Sequence, residues 1–305
     1  MIAEGATISA GGFRAWLLAV RPATLTVAVV PVLVGAAVAH AQGQVRVGAI
    51  VAAMVGAVLI QIGTNLANDV FDHEKGADTP DRLGPLRVTQ AGLLTPREVR
   101  WGMAVSFALA TAAGAYLTAI AGWPIVAIGA LSIGSGIAYT GGPWPLGYNG
   151  LGDIFVFLFF GLAAVCGTTF VATSAVSPLA VAAAVPVGAL ATAVLVVNNV
   201  RDARTDVLAG KRTLVVRFGR RFGVVEYAVL LALAYAVPLA LAATHARSPW
   251  ILLPLGTAPF AVRLVRTVAH ETGGPALNAC LAQTARLLLA HGALFALGML
   301  PQVSP

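Results

Sequence analysis

The stretch Asn65–Pro85 reads NLANDVFDHEKGADTPDRLGP, and only Thr64 separates it from the apolar run VGAIVAAMVGAVLIQIG of residues 47–63. Its polar residues recur at intervals of four: Gln61 and Asn65, Asn65 and Asp69, Asn68 and Asp72. On an α-helix this interval places side chains on one face. A polar face on an otherwise apolar helix indicates a membrane span whose polar side meets protein or a water-filled cavity. We therefore predict that Gln61 and Asn65 line a polar cavity.

The composition excludes an ordinary soluble domain. Of the 305 residues, 58% are hydrophobic and 10% are charged, whereas soluble domains carry about 25% charged residues. The mean hydropathy is +0.86. Apolar runs cover nearly the whole chain without a linker, so we expect one all-α membrane domain over residues 1–305. The first dozen residues lack a basic start and a cleavage site, and we expect no signal peptide.

Nine apolar runs are long enough to cross a bilayer, which takes about 20 residues. They cover residues 22–41, 47–68, 99–121, 123–140, 152–173, 177–199, 222–243, 249–268 and 279–300. Only AGWP (121–124) separates the third run from the fourth, which predicts a tight break between two helices.

Lysine and arginine indicate the orientation of these spans, because cytoplasmic loops are enriched in both. With the N-terminus in the cytoplasm, sixteen of the 19 basic residues fall on the cytoplasmic side, Arg46 and Arg247 fall outside, and Arg286 lies within the ninth span. The net charge of +7 is therefore a topology signal, and we expect no nucleic acid partner. We expect a multi-pass protein of a bacterial cytoplasmic membrane with its C-terminus outside.

A second polar cluster closes the sixth run, in AVLVVNNVRDARTDVLAGKRTL (193–214). Asn198, Asp202 and Asp206 are again four residues apart. Both clusters end an even-numbered span, with four spans from one to the other, which predicts an internal repeat of a four-helix unit.

Carboxylate and amide oxygens are the ligands that Mg²⁺ prefers, often together with substrate phosphates. Two facing clusters with interleaved Arg and Lys would hold a diphosphate through metal ions and direct charge pairs. The alternative for either cluster alone is a solvated loop held by salt bridges. A transporter with acidic ion sites is a second alternative, but such sites usually lie near the bilayer midplane, and these acids lie at one membrane edge. A membrane phosphotransferase would need one Asp-rich motif opened by Asp-Gly and Ala-Arg, which is absent.

Several runs resemble the UbiA superfamily of intramembrane aromatic prenyltransferases: the Asn-x3-Asp and Asp-x3-Asp motifs, RPATL (21–25), YTGGPWPLGYNGLGD (139–153), NNVRDARTD (198–206) and GKRTL (210–214). Within it they are most similar to 1,4-dihydroxy-2-naphthoate polyprenyltransferases of menaquinone synthesis. The resemblance implies nine helices around a central cavity, and transfer of a polyprenyl group from its diphosphate to the naphthoate with loss of CO₂, giving demethylmenaquinone. Hydroxybenzoate, homogentisate and tetrapyrroles are the alternative acceptors. Many relatives carry Lys at Ala23 and Glu at Asp153.

The resemblance and the chemistry together assign the site. The metal ligands are expected among the amide and carboxylate groups of both motifs: Asn68, Asp69, Asp72, Asp78, Asn198, Asp202 and Asp206. The diphosphate is expected to meet basic residues that also fit a topology role: Lys75, Arg82, Arg87, Arg201 and Lys211. Asp72, Asp202 and Asp206 count as catalytic, together with Tyr139 and Asp153.

Tyr139 and Asp153 have structural alternatives. Tyr139 is either a group that steadies the cation or an interfacial anchor. Asp153 is either a base at the acceptor or a helix cap. For the four phenylalanines of the fifth span, Phe155, Phe157, Phe159 and Phe160, we expect packing or lipid contact.

Overall fold

The computed structural model describes residues 10–77, 83–244 and 249–300. Within these ranges the chain is helical and has no strand. In chain order the helices are α1 (Phe13–Val20), α2 (Pro22–Ala41), α3 (Val47–Glu74), α4 (Pro96–Ala121), α5 (Pro124–Ala138), α6 (Gly152–Thr173), α7 (Pro178–Leu208), α8 (Leu214–Phe218), α9 (Arg220–Ala243), α10 (Pro249–His270) and α11 (Gly274–Met299). The all-α fold predicted from the sequence is confirmed.

Eight of these helices are long and apolar enough to cross a membrane, and α5 is a shorter apolar helix of 15 residues. The predicted spans agree closely with the observed helices except at three ends, one of which is the start of α11, at Gly274 instead of residue 279. Helix α3 continues from residue 68 to Glu74, and α7 continues from residue 199 to Leu208. Both polar clusters therefore lie on extensions of membrane helices, which fixes the side chains at helical spacing.

The break predicted at AGWP separates α4 from α5. Helix α4 ends at Ala121, Gly122 has φ +80°, and Pro124 opens α5. A positive φ suits glycine because it has no Cβ. Proline is tolerated in the first turn of a helix because that turn's N–H has no intrahelical acceptor. The chain thus reverses direction within three residues.

Two helices form the interior of the bundle. Of the 18 most apolar consecutive residues of α7, 78% are buried, and in α2 the corresponding share is 56%. In the other long helices it is 22% to 44%. Helices α6, α9 and α11 pack on α7, and α6 and α11 also pack on α2. Large apolar side chains such as Leu109, Val229 and Leu297 face outward, as expected for helices in contact with lipid.

Helices α6 and α7 approach each other closely where Gly161 meets Gly188. A Cβ on Gly161 would lie 2.9 Å from the carbonyl oxygen of Ala184 and from the Cα of Gly188. Small residues permit such close approach between membrane helices. The same part of α6, Phe157–Ala163, is π-helical, a conformation that often marks functional sites.

Candidate active site

The first polar cluster lies on the last turns of α3. Asp72 is 1% exposed. Its Oδ1 accepts a hydrogen bond from the Tyr148 hydroxyl at 2.8 Å, and its Oδ2 accepts one from Nη2 of Arg87 at 3.1 Å. One turn earlier, Oδ1 of Asn68 accepts a hydrogen bond from the Thr140 hydroxyl at 2.9 Å. The predicted pair of Asn68 and Asp72 therefore faces the loop between α5 and α6.

The second cluster lies on the last turns of α7 and is organised around Arg201. The Arg201 guanidinium donates two hydrogen bonds to Asp202, from Nε to Oδ1 at 2.7 Å and from Nη2 to Oδ2 at 2.5 Å. It also donates to Oδ1 of Asn198 at 2.6 Å and to Oδ1 of Asn278, on α11, at 2.7 Å. Arg201 and Asp202 are both buried. Such a pair is stable in the interior because additional hydrogen bonds satisfy the remaining donors.

One lysine joins the two clusters. The Nζ of Lys211 lies 3.6 Å from Oδ2 of Asp72 and 3.9 Å from Oδ1 of Asp206. The α7 helix ends at Leu208, and Lys211 N donates to the Asp206 carbonyl oxygen at 2.8 Å, which turns the chain back towards α3. The structure thus brings carboxylates that are separated by more than 130 residues in sequence to one ammonium group.

Tyr148 lies at the centre of this arrangement. Two ammonium groups lie near its ring. Nζ of Lys75, the residue that follows α3, is 5.0 Å from the ring centroid, and Nζ of Lys211 is 4.8 Å from it. Lys75 also donates to the carbonyl oxygens of Thr140 and Gly142, at 2.6 and 3.2 Å. Burial lowers the pKa of Lys75, although the nearby Asp72 carboxylate acts in the opposite direction. Tyr148 lies within the run of residues 139–153 that resembles the family, but no pattern in the sequence distinguishes it from its neighbours.

Asp69 contacts a neighbouring loop. Its oxygens accept hydrogen bonds from the backbone N–H groups of Val88 and Thr89, at 3.3 and 3.0 Å, and Nη2 of Arg21 lies 3.5 Å from its Oδ2. These contacts hold the loop that carries Arg87 against α3. The metal role predicted for Asp69 stays a prediction, and the contacts favour a positioning role.

Gln61 and Asn65 continue the polar face into the bundle. Nδ2 of Asn65 donates to the Val20 carbonyl oxygen and to the Thr24 hydroxyl, both at 2.9 Å. Nε2 of Gln61 donates to Oδ1 of Asn65 at 3.2 Å. Asn65 therefore ties α3 to the junction of α1 and α2, while Gln61 lines the cavity described next.

A cavity of about 640 Å³ lies beside this polar face, within the size range of ligand pockets. Its walls come from α2, α3, α4, α5 and α6 and are mostly apolar, with Gln61, Thr64 and Tyr139 among the few polar groups. Thr64 lies one helical turn before Asn68. The apolar cavity therefore begins about one turn from the first acidic cluster.

Three phenylalanines of α6 line this cavity: Phe155, Phe159 and Phe160. The rings of Phe155 and Phe159 stack with centroids 5.9 Å apart. Phe160 also packs against the core, as expected. For Phe155 and Phe159 the sequence did not indicate that they line a cavity. Phe157 packs against the core as expected.

Tyr139 and Asp153 flank the loop between α5 and α6. Asp153 is 6% exposed, and its Oδ1 has no hydrogen-bond partner among the described residues. A Cβ on the adjacent Gly152 would lie 2.8 Å from the Tyr139 hydroxyl, so the phenol lies next to the start of α6. A buried carboxylate oxygen without a partner is costly, and such groups are typical of functional sites.

Two predicted site residues, Asp78 and Arg82, lie outside the described residues. Across the described ranges, no three His, Cys, Asp or Glu side chains form a group suited to hold a metal ion. The acids instead form two facing sets with amide neighbours and with Lys211 between Asp72 and Asp206.

The helices form a membrane bundle in which paired Asn/Asp motifs adjoin an apolar cavity. This arrangement defines a class of intramembrane enzyme whose substrate has a polar head and an apolar tail. The model of the UbiA prenyltransferase family matches residues 28–296. The chain belongs to this family, and the resemblance drawn from its sequence motifs is confirmed.

Known relatives cover nearly the whole chain. A 1,4-dihydroxy-2-naphthoate octaprenyltransferase of Escherichia coli (strain K12) is 38% identical, over 94% of this chain and 95% of the relative. The protein of the same name from Mycobacterium tuberculosis (strain ATCC 25618 / H37Rv) is also 38% identical, over 91% and 94%. A UbiA homolog from Archaeoglobus fulgidus, solved bound to GPP and Mg²⁺, has the same fold with a TM-score of 0.66 and 17% identity, over 92% of this chain and 99% of that chain.

Proposed function

We propose that this protein transfers a polyprenyl group from a polyprenyl diphosphate to 1,4-dihydroxy-2-naphthoate, with loss of CO₂, as a step of menaquinone synthesis. The acceptor is supported by the relatives named for that activity, which align over most of the chain. We place the polar site at the cytoplasmic side of a bacterial cytoplasmic membrane, because the basic residues concentrate on that side.

The observation that carries the proposal is the meeting of both acidic clusters around Lys211. A cation between Asp72 and Asp206 contacts carboxylates from α3 and α7 together. A solvated loop held by local salt bridges would not need acids from two distant helices. A head group of high charge density, adjoining an apolar cavity, fits this geometry.

The donor set fits Mg²⁺. The groups that would hold the ion offer amide and carboxylate oxygens and no sulfur or imidazole: Asn68, Asp72, Asn198, Asp202 and Asp206. Oxygen donors of this kind are the ligands that Mg²⁺ prefers, and the UbiA homolog solved with GPP and Mg²⁺ is in keeping with that. When bound, Mg²⁺ supplies positive charge that neutralises the diphosphate and makes it a better leaving group.

The chain's own cations hold the head of the donor. Lys75, Arg87, Arg201 and Lys211 all contact the site's acids or its central tyrosine. As the allylic C–O bond breaks, its electron pair leaves with the diphosphate, and these preorganised cations stabilise the charge that develops there.

The cavity holds the prenyl tail. Burial of each CH₂ contributes about 0.8 kcal/mol, so a long tail binds firmly whatever its exact length. The apolar walls also exclude water, which would otherwise capture the allylic cation. Phe155 and Tyr139, which line the cavity, offer π-electron density to that cation.

In this proposal Asp153 acts on the acceptor as a base. Its unpartnered Oδ1 takes a proton from a ring hydroxyl, and the electron-rich ring then forms a C–C bond to the allylic cation. The ring carboxylate leaves as CO₂, its bonding electrons restore the aromatic ring, and Asp153 returns the proton. The step uses no oxidant, so the product leaves the site as the hydroquinone of demethylmenaquinone.

The test is a reaction of the purified protein in lipid nanodiscs with Mg²⁺, a polyprenyl diphosphate and a panel of aromatic acids. We expect CO₂ release and prenylated product with 1,4-dihydroxy-2-naphthoate, little reaction with 4-hydroxybenzoate, and turnover with donors of several lengths. Faster prenylation of 4-hydroxybenzoate would refute the assigned acceptor, and the absence of prenylation with every acid would refute the proposed activity.

A further inference from the structure

Asn278 on α11 connects the two halves of the site. Its Oδ1 accepts a hydrogen bond from Nη1 of Arg201 at 2.7 Å, and its Nδ2 donates to the backbone carbonyl oxygen of Leu83 at 2.6 Å. Arg201 belongs to the second cluster, and Leu83 lies four residues before Arg87, in the loop that brings Arg87 to Asp72. One side chain therefore contacts both the α7 cluster and the loop that completes the α3 cluster.

The chemistry of these two contacts requires a side chain that both accepts and donates, as the amide of Asn278 does. Arginine offers only donors and a backbone carbonyl only an acceptor, so the bridging side chain must accept on one side and donate on the other. The pairing also fixes which way the Asn278 amide points. The loop is held at the same place by packing, because a Cβ on Gly274 would lie 3.1 Å from Cδ2 of Leu83.

We propose that Asn278 is a positioning residue that sets the spacing between the two acidic clusters. Lys211 joins the clusters on one side of the site, and Asn278 joins them on the other through Arg201 and the Leu83 loop. Loss of this bridge removes one of the contacts that hold the loop, beside those of Asp69 and the packing at Gly274. It also leaves one Arg201 donor without its partner, so the cations match the diphosphate less well. This inference rests on the proposed function, because it takes the diphosphate as the ligand.

The test measures binding of geranyl thiodiphosphate in the presence of Mg²⁺, so that neither the acceptor nor turnover enters the result. Asn278→Ala removes both hydrogen bonds, and Asn278→Asp keeps the acceptor for Arg201 but removes the donor to Leu83. Asn278→Ala loses a hydrogen bond to a charged group, so we expect it to bind the probe about tenfold or more weakly. Asn278→Asp loses only the uncharged hydrogen bond to the Leu83 carbonyl oxygen, so we expect it to bind about fivefold more weakly. Gln283→Ala on the same helix, a residue without a hydrogen-bond partner among the described side chains, is the matched control and should bind as the unsubstituted protein does.

A second readout follows the loop directly. Spin labels at the exposed residues Leu86 and Leu208, in a background with Cys166→Ala and Cys280→Ala, report the distance between the loop and the end of α7. We expect a narrow distance distribution with Asn278 present and a broad one in both Asn278 variants.

The outcomes separate this inference from the proposed function. If the unsubstituted protein fails to bind the probe, the diphosphate function is wrong, and the inference fails with it. If the unsubstituted protein binds the probe and both Asn278 variants bind it within twofold, with unchanged distance distributions, the positioning role alone is refuted.

Discussion

Replacing Tyr148 with phenylalanine removes one hydroxyl from the centre of the site and keeps the aromatic ring. The hydroxyl donates to Oδ1 of Asp72 at 2.8 Å, while the ring lies against the ammonium groups of Lys75 and Lys211. The two functions of this residue are therefore separable by substitution. Tyr148→Phe removes the hydrogen bond, and Tyr148→Leu removes the hydrogen bond and the aromatic face together.

The expected size of each effect follows from the contacts. A hydrogen bond to a charged group contributes about 1.5–3 kcal/mol, so Tyr148→Phe should lower kcat/KM for the prenyl diphosphate about 10- to 150-fold. Each cation–π contact contributes about 0.5–1 kcal/mol, and there are two. Tyr148→Leu should therefore lower kcat/KM by a further factor of about 5 to 30.

Steady-state kinetics with the prenyl diphosphate varied at saturating acceptor measure both effects. Tyr116→Phe is the matched control, because Tyr116 is half-exposed on α4 and its hydroxyl contacts no group of the polar site. The reasoning would be refuted if Tyr148→Phe retained kcat/KM within twofold of the unsubstituted protein while Tyr148→Leu lost activity, since the hydroxyl would then have no part in holding Asp72.

Three further outcomes are expected. Asp72→Asn or Asp202→Asn should reduce turnover below detection while the protein remains inserted and folded, and ordinary activity in either variant or in EDTA would exclude a two-cluster metal site. Gly161→Val should lower the thermal midpoint, because its Cβ would lie 2.9 Å from the α7 backbone and overpacking costs about 1–3 kcal/mol; Gly114→Ala, where no atom lies within 4 Å, should not lower it. A cysteine at Val303 should react with an impermeant reagent from the outer face of intact cells, and labelling from the inner face alone would mean a miscounted span.

Local periodicity predicted the helices and the polar faces of the fold. An interval of four residues is a property of neighbouring turns, so the alignment of Asn68 with Asp72 and of Asn198 with Asp202 was readable from the chain. The break at Gly122 and Pro124 was readable for the same reason. The ends of α3 and α7 were placed too early, because hydropathy falls where the polar residues begin although the helices continue.

Contacts between distant segments were not readable in this way. Tyr148 lies in a loop rich in glycine and proline, without any periodicity to indicate which side chain turns inward. Asn278 is one of several polar residues in the first half of a largely apolar helix, and its spacing to the others does not mark it out. The resemblance pointed to the run that holds Tyr148, but its contact with Asp72 depends on the fold of the whole loop.

The charges at the centre of the site explain how it is stable beside a membrane interior. Three acids, Asp72, Asp202 and Asp206, each contact at least one of three bases. The bases are Arg87, Arg201 and Lys211. Leaving a buried charge unpaired costs about 3–5 kcal/mol, so the acids are held by internal cations until a ligand arrives.

A diphosphate that entered alone would draw these cations away and leave the carboxylates unpaired. When a diphosphate enters together with Mg²⁺, the metal ion brings positive charge. This charge takes the place, at the acids, of the Lys and Arg side chains that move towards the diphosphate. We therefore expect metal and diphosphate to bind cooperatively, each more weakly alone than with the other, and equilibrium titration of either ligand with and without its partner measures this coupling.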